Sequence, residues 1–155
     1  MIGKKLTNTF NQMERMLHTL EESTTLYAHK IKVFSTHEQD DKILNIYSDS
    51  VIKRFEYCVN NFWELLKTSL KNTKRLHNTK RRPQFVAHKA ATYGLLSKEE
   101  SCQFITMIEK RNKIPCTYKQ EIADEIARFA PQGLMFMKTI LARLQNHYTI
   151  QKDLS

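Results

Sequence analysis

Glycine and proline are scarce in this chain, which has three of each among its 155 residues. Turn-rich β proteins use many more, because glycine supplies positive φ angles and proline pre-sets tight turns. The glycines Gly3, Gly94 and Gly133 also stand alone, so the sequence lacks the glycine-rich phosphate loop of P-loop and Rossmann enzymes. The strand and paired aspartates of a nucleotidyltransferase catalytic site are missing too. This scarcity favours an all-α fold.

Cysteines and long apolar runs are also few. Cys58, Cys102 and Cys116 form no C-x-x-C pair, and their odd number fits no closed disulfide framework. No run approaches the roughly 20 apolar residues that cross a bilayer, and the first ten residues do not read as a signal peptide. We therefore predict a soluble, cytoplasmic protein with reduced thiols and no membrane contact.

Metal-binding patterns are absent from the sequence as well. The six histidines fall singly, and none follows a glutamate by three residues as in di-metal helical bundles. Zinc-type spacings of cysteine and histidine do not occur. We predict no metal and no cofactor.

Apolar residues in the first forty positions recur every three or four residues, which predicts one long amphipathic helix. The predicted inward positions are Leu6, Phe10, Met13, Leu17, Leu20, Thr24, Tyr27, Ile31 and Phe34. After a polar turn at His37–Asp41, a second long helix is predicted from about Lys42 to about Leu76. Its inward positions are Ile43, Tyr47, Val51, Phe55, Cys58, Phe62, Leu65, Leu66 and Leu70. Two long helices joined by a short loop must lie antiparallel.

Local signals divide the rest of the chain into shorter helices. Pro83 predicts a helix start and Gly94 its end, while Ser97–Glu100 and Thr117–Gln120 have the pattern of capping boxes. Pro131 predicts the start of the last helix. The expected fold is an antiparallel up-and-down bundle of four to five main helices, a single domain over residues 1–148 with a frayed tail at 149–155.

The net charge of +9 suggests an anionic partner, such as nucleic acid or a nucleotide. The densest basic stretch comprises Lys71, Lys74, Arg75, Lys80, Arg81 and Arg82. Such a cluster can bind phosphate or RNA. The alternative is a set of solvated cations at a helix end, where the helix dipole favours them.

A second candidate is the polar segment Glu109–Tyr118, where one predicted helix ends, a proline turns the chain and another begins. Arg111, Asn112 and the free amides near Thr117 could face an anion. The alternative is an ordinary corner whose polar residues only cap the helices.

The same segments resemble a known family. Asp49–Tyr57, followed by Phe62-Trp63 and Leu66-Lys67, is similar to the "RFE(F/Y)…W…LK" helix of the nucleotidyltransferase substrate-binding family of the HEPN group. Further matches are Arg82-Pro83, Ala90-Ala91, Gly94-Leu95, Met107–Asn112, Tyr118, Glu121, Ala123 and Ile126. The similarity covers about residues 45 to 145.

This resemblance implies a helical bundle, commonly a homodimer, that pairs with a minimal nucleotidyltransferase. Many HEPN proteins are metal-independent ribonuclease toxins, and in related systems the partner adenylylates a tyrosine and silences the toxin. Carried over, Arg111, Asn112 and Tyr118 match the family motif, with Tyr118 the implied AMP acceptor. Cys116 stands where the family has histidine, the residue that titrates near neutrality and moves the proton.

Three functions therefore remain open at this stage. The first is a non-catalytic or weakly catalytic subunit that presents the corner Arg111–Tyr118 to a nucleotide, an RNA or the minimal nucleotidyltransferase. The second is a ribonuclease toxin of a toxin–antitoxin pair, with Arg111, Asn112 and Cys116 as catalytic residues, or with His88 replacing the missing base. The third is a helical interaction protein without a nucleotide site.

Overall fold

The computed structural model of the protein describes residues 2–34, 38–72 and 82–154. These residues form α-helices joined by loops and one short 3₁₀ turn, so the predicted all-α class is confirmed. The helices are α1 (Ile2–Val33), α2 (Glu38–Asn72), α3 (Pro83–Thr92), α4 (Lys98–Asn112) and α5 (Gln120–Asp153), and the 3₁₀ turn is Ile114–Cys116. Among the residues described, no helix is both long and apolar enough to span a membrane.

Helices α1 and α2 form the antiparallel pair that their lengths predict. The Cys58 thiol donates a hydrogen bond to the carbonyl oxygen of Met16, at 3.3 Å. One turn earlier in α2, Arg54 Nη1 donates to the carbonyl oxygen of Thr19 at 2.8 Å and to Ser23 Oγ at 2.6 Å. Advancing along α1 therefore means moving back along α2.

Helix α5 packs along α2 through aromatic rings. Phe55 meets Phe129 edge to face at 6.0 Å between ring centroids, and Phe62 meets Phe136 at 5.8 Å. Both pairs advance by the same seven residues, so α2 and α5 run in the same direction. Such ring pairs stabilise helix contacts beyond the area that they bury.

Helix α4 covers another side of α2, where the Trp63 ring stacks on the Phe104 ring at 5.6 Å. The apolar positions on the inward faces join one hydrophobic core. Most of the predicted core positions in the two long helices are confirmed as buried: Leu6, Phe10, Met13, Leu17, Leu20, Thr24, Val51, Phe55, Cys58, Phe62, Leu65, Leu66 and Leu70.

The predicted core extends too far toward the α1–α2 loop. Ile31 is 48% exposed and Ile43 is 39% exposed, although both continue the apolar stripes of their helices. Periodicity identifies a face, but burial requires a neighbour at the same level.

The predicted turn at His37–Asp41 is wrong at its end, because α2 already begins at Glu38. His37 and Leu76 lie outside the described residues.

Three of the local helix signals are confirmed. Pro83 is the first residue of α3, and Gly94 follows its end with a φ of +75°. Ser97 Oγ accepts from the Glu100 amide while the Glu100 carboxylate accepts from the Ser97 amide, a complete capping box. Each signal acts within one turn of helix, which is why sequence reveals it.

Two other local predictions are wrong. Thr117 does not cap α5, since its hydroxyl donates backward to the carbonyl oxygen of Ile114, and the N-cap is Lys119 without a side-chain bond. Pro131 lies inside α5 rather than at a helix start. The ring contacts of Phe129 and Phe136 hold both sides of the proline on α2, so packing overrides the missing donor. Helix α5 continues to Asp153, and fraying of residues 149–155 stays a prediction.

Candidate functional site

The candidate site is the corner between α4 and α5, residues 111–119. Helix α4 ends at Asn112, Pro115 lies in the 3₁₀ turn, and α5 begins at Gln120. The proline cannot donate a backbone hydrogen bond, which helps to end α4 and reverse the chain within seven residues. The corner thus carries Arg111, Cys116 and Tyr118 on a short, well-defined reversal.

Arg111 is anchored to the middle of α2. Its Nη1 donates a hydrogen bond to Asn60 Oδ1 at 3.1 Å. Its Nε is buried and has no hydrogen-bond partner among the described residues. No carboxylate lies within ion-pair distance of Arg111 in the part of the chain that the structure describes. The guanidinium therefore has a neutral partner, Asn60, and a buried Nε–H without an acceptor among the described residues.

The other predicted site residues differ in exposure. Tyr118 is 81% exposed, Asn112 is exposed, and Cys116 is partly buried. Within the described ranges, no hydrogen bond joins Arg111, Asn112 and Tyr118 to one another. The corner thus places these groups on one reversal, but it does not preassemble them into a bonded cluster.

Two lysines beside Arg111, Lys110 and Lys113, share one carboxylate. Glu125 Oε1 accepts from Lys110 Nζ at 2.5 Å and from Lys113 Nζ at 2.9 Å. These two bonds lower the pKa of the Glu125 carboxyl to about 2. Lys110 also lies over the Phe129 ring, 5.5 Å from its centroid. Arg111 and Lys119 are therefore cations of the corner without an ion-pair partner among the described residues, and Arg111 is the one that is partly buried.

The basic stretch is described only at its ends. Lys71 is exposed in the last turn of α2, and Arg82 is exposed just before α3. The other four residues, Lys74, Arg75, Lys80 and Arg81, lie outside the described residues. Phosphate or RNA binding by this stretch stays a prediction.

Sequence reasoning missed Asn60, the residue that contacts Arg111. Asn60 and Asn61 are adjacent, and nothing in the sequence distinguishes them. Only Asn60 reaches across to α4, whereas the Asn61 amide donates to the carbonyl oxygen of Tyr57 in its own helix, at 2.9 Å. The helical rotation of about 100° per residue decides between them.

Other parts of the surface offer less. A cleft of about 520 Å³ lies between α4 and α5, over Met107, Gly133 and Phe136, and the corner residues do not line it. His88, the alternative base, is exposed on α3. Among the described residues, no three histidine, cysteine or acidic side chains come together as metal ligands would.

Comparison with known proteins identifies the family. The sequence matches the family described as "nucleotidyltransferase substrate binding protein like" over residues 5–146, which is nearly the whole chain. The chain belongs to this HEPN-like family. The resemblance from the residues alone is thereby confirmed.

A solved structure has the same fold. A protein from Thermus thermophilus, known from its crystal structure, superposes with a TM-score of 0.67 at 27% sequence identity. The match covers 85% of this chain and 98% of that one, so the helical fold is shared almost throughout. A comparison with curated protein sequences gives no match.

Proposed function

We propose that this family member is the substrate-binding partner subunit of a minimal nucleotidyltransferase, and that it presents the α4–α5 corner to that enzyme. The family assignment supports the partnership. The observation that carries the role of the corner is the exposure of Tyr118, whose side chain is 81% exposed in the turn before α5. A phenol displayed in this way can enter the active site of another protein.

In the proposed reaction, Tyr118 is the acceptor of an AMP group. The phenol oxygen attacks the α-phosphorus of ATP held by the partner, a new P–O bond forms, and pyrophosphate leaves with the bonding electron pair. The phenol proton passes to a base of the partner or to water. The product is a phosphodiester with one negative charge on the corner that carries Arg111.

The charge distribution at the corner supports this proposal over a purely structural role. A corner that only capped its helices would bury Tyr118 and pair the Arg111 guanidinium with an internal carboxylate. Instead, the carboxylate nearby is taken by Lys110 and Lys113, and Arg111 has no ion-pair partner among the described residues. The arrangement suits an anion that arrives with a partner or substrate.

The test is co-expression with a minimal nucleotidyltransferase of the same organism, followed by co-purification, incubation with ATP and intact-mass measurement. We expect a stable complex and a mass increase of one or more AMP units, with the first unit lost in Tyr118→Phe. Tyr57→Phe is the matched control, because Tyr57 is 50% exposed on α2 and should leave the modification intact. Absence of any complex would refute the partnership.

The ribonuclease alternative is examined with the same preparations. Cleavage of RNA without metal, lost in Arg111→Ala, would assign catalysis to the corner. Cys116→His restores the family pattern of residues, so a gain of cleavage in that variant would show that Cys116 is what limits the activity.

A further inference from the structure

The guanidinium of Arg111 has one occupied edge and one unoccupied edge. Nη1 donates to Asn60 Oδ1, while Nε is shielded from solvent without an acceptor among the described residues. In arginine, Nε and Nη2 point their hydrogens along the same edge of the plane, opposite the outer hydrogen of Nη1. The contact with Asn60 therefore leaves the Nε–Nη2 edge without an acceptor among the described residues.

An unsatisfied buried donor on a charged group is unfavourable, so a native structure that contains one needs an explanation. Glu125 is bonded to Lys110 and Lys113, and no carboxylate of the described residues lies within ion-pair distance of Arg111, so these residues do not supply the acceptor. A ligand with two oxygens on one tetrahedral atom would satisfy Nε and Nη2 together. Phosphate groups have that geometry, and arginine binds them in this bidentate manner.

We infer that Asn60 is a positioning residue, which holds Arg111 so that the Nε–Nη2 edge binds the phosphate of a nucleotide at the α4–α5 corner. This inference rests on the proposed function and names the ligand group of its site. Asn60 does not touch the phosphate. From its position on α2, Asn60 holds the guanidinium in one orientation. Less side-chain entropy is therefore lost when the phosphate binds than would be lost by a freely rotating arginine.

The direct test is a titration of the ¹⁵N-labelled full chain with AMP, followed through the arginine Nε–H signals. Arg111→Lys identifies the signal of Arg111, since that variant removes it. We expect AMP to shift this signal saturably, and adenosine, which lacks the phosphate, to leave it in place. An Arg111 signal that does not shift on addition of AMP would overturn the inference.

Asn60→Ala tests the positioning role, and Asn61→Ala is its matched control because the Asn61 amide bonds only within α2. We expect the Kd for AMP to rise roughly tenfold in Asn60→Ala, as for the loss of one hydrogen bond to a charged group, and to stay unchanged in Asn61→Ala. The melting temperatures of the two variants check that both are folded. Equal Kd values in two folded variants would overturn the positioning role.

Two further outcomes keep the inference separate from the proposed function. Arg111→Lys keeps the charge but loses the planar edge, so it should also weaken AMP binding; unchanged binding would overturn the inference even if Asn60→Ala failed to fold. Complex formation and modification of Tyr118 are measured independently. If the complex forms and Tyr118 is modified, but AMP does not shift the Arg111 signal, this inference is wrong and the proposed function stands.

Discussion

Gly133 of α5 lies directly against the Phe55 ring of α2. A Cβ added to Gly133 would come within 2.9 Å of Phe55 Cε2 and 3.4 Å of Phe129 Cε1. Phe55 is fully buried, so its ring has little room to move away. The absence of a side chain at this position sets how closely the two helices pack.

Gly133→Ala should therefore destabilise the protein. Overpacking costs about 1–3 kcal/mol, and the better helix propensity of alanine returns up to about 1 kcal/mol, so we expect a net loss of roughly 1 kcal/mol. Urea unfolding followed by circular dichroism measures it. Gly3→Ala is the control, because a Cβ there meets nothing within 4 Å and should cause no loss. If Gly133→Ala were more stable than the wild type, the Phe55 ring would have to move away from the added Cβ at little cost.

The capping box at the start of α4 predicts a second stability change. Ser97→Ala removes the acceptor for the Glu100 amide, at 3.1 Å, and should cost about 1 kcal/mol. Thr106→Ala in the exposed middle of α4 is the control; its hydroxyl bonds only within the helix, to Cys102, so the variant should be neutral or slightly stabilised. Equal unfolding midpoints for the two variants would contradict a role for the cap.

Glu125 should make the corner sensitive to acid. Its pKa is about 2 in the folded protein because Lys110 and Lys113 bond to it, against 4.5 when unperturbed. A carboxyl with a lowered pKa contributes stability above its unfolded pKa, and that contribution is lost as the pH falls from about 4.5 toward 2.

We therefore expect the unfolding free energy of the wild type to fall more steeply than that of Glu125→Gln between about pH 5 and pH 3. The effect should be small and should shrink with added salt, since the carboxylate is at the surface. Parallel pH dependence of the two proteins in urea titrations would show that the bonds contribute nothing.

The cysteines should differ in reactivity. Burial raises the pKa of the Cys58 thiol to about 12, and Cys102 is exposed. Because the thiolate is the reactive form, iodoacetamide at about pH 8 should label Cys102 rapidly and leave Cys58 unlabelled until the protein unfolds. Peptide mass spectrometry with and without urea distinguishes the sites. Labelling of both at similar rates in the native protein would contradict the buried position of Cys58.

The same raised pKa predicts a loss of stability in alkali. The Cys58 thiol ionises near pH 9 when unperturbed but stays protonated in the core, so the unfolded state gains stability as the pH rises above about 9. Cys58→Ala should lessen this dependence, although it also leaves a cavity that lowers stability at every pH. A steeper alkaline loss in the variant would argue against the assignment.

Helices α1 to α4, the cap of α4 and the family were predictable because each depends on nearby residues or on an ordered series of motifs. The capping box of Ser97 and Glu100 spans three residues, and the stripe from Leu6 to Leu20 repeats with the helical period. The family motif likewise indicated Arg111 and Tyr118 from their order in the chain. Such signals can be recognised in the sequence without knowledge of the tertiary structure.

The tertiary structure alone decided how far each face is buried, whether α5 continues through Pro131, and which residue holds Arg111. Asn60 and Arg111 are 51 positions apart, and Ile31 is exposed despite its place in an apolar stripe. Both facts depend on how separate helices are aligned along one another. That alignment follows from packing of the whole core, because no local interaction fixes the level at which distant helices meet.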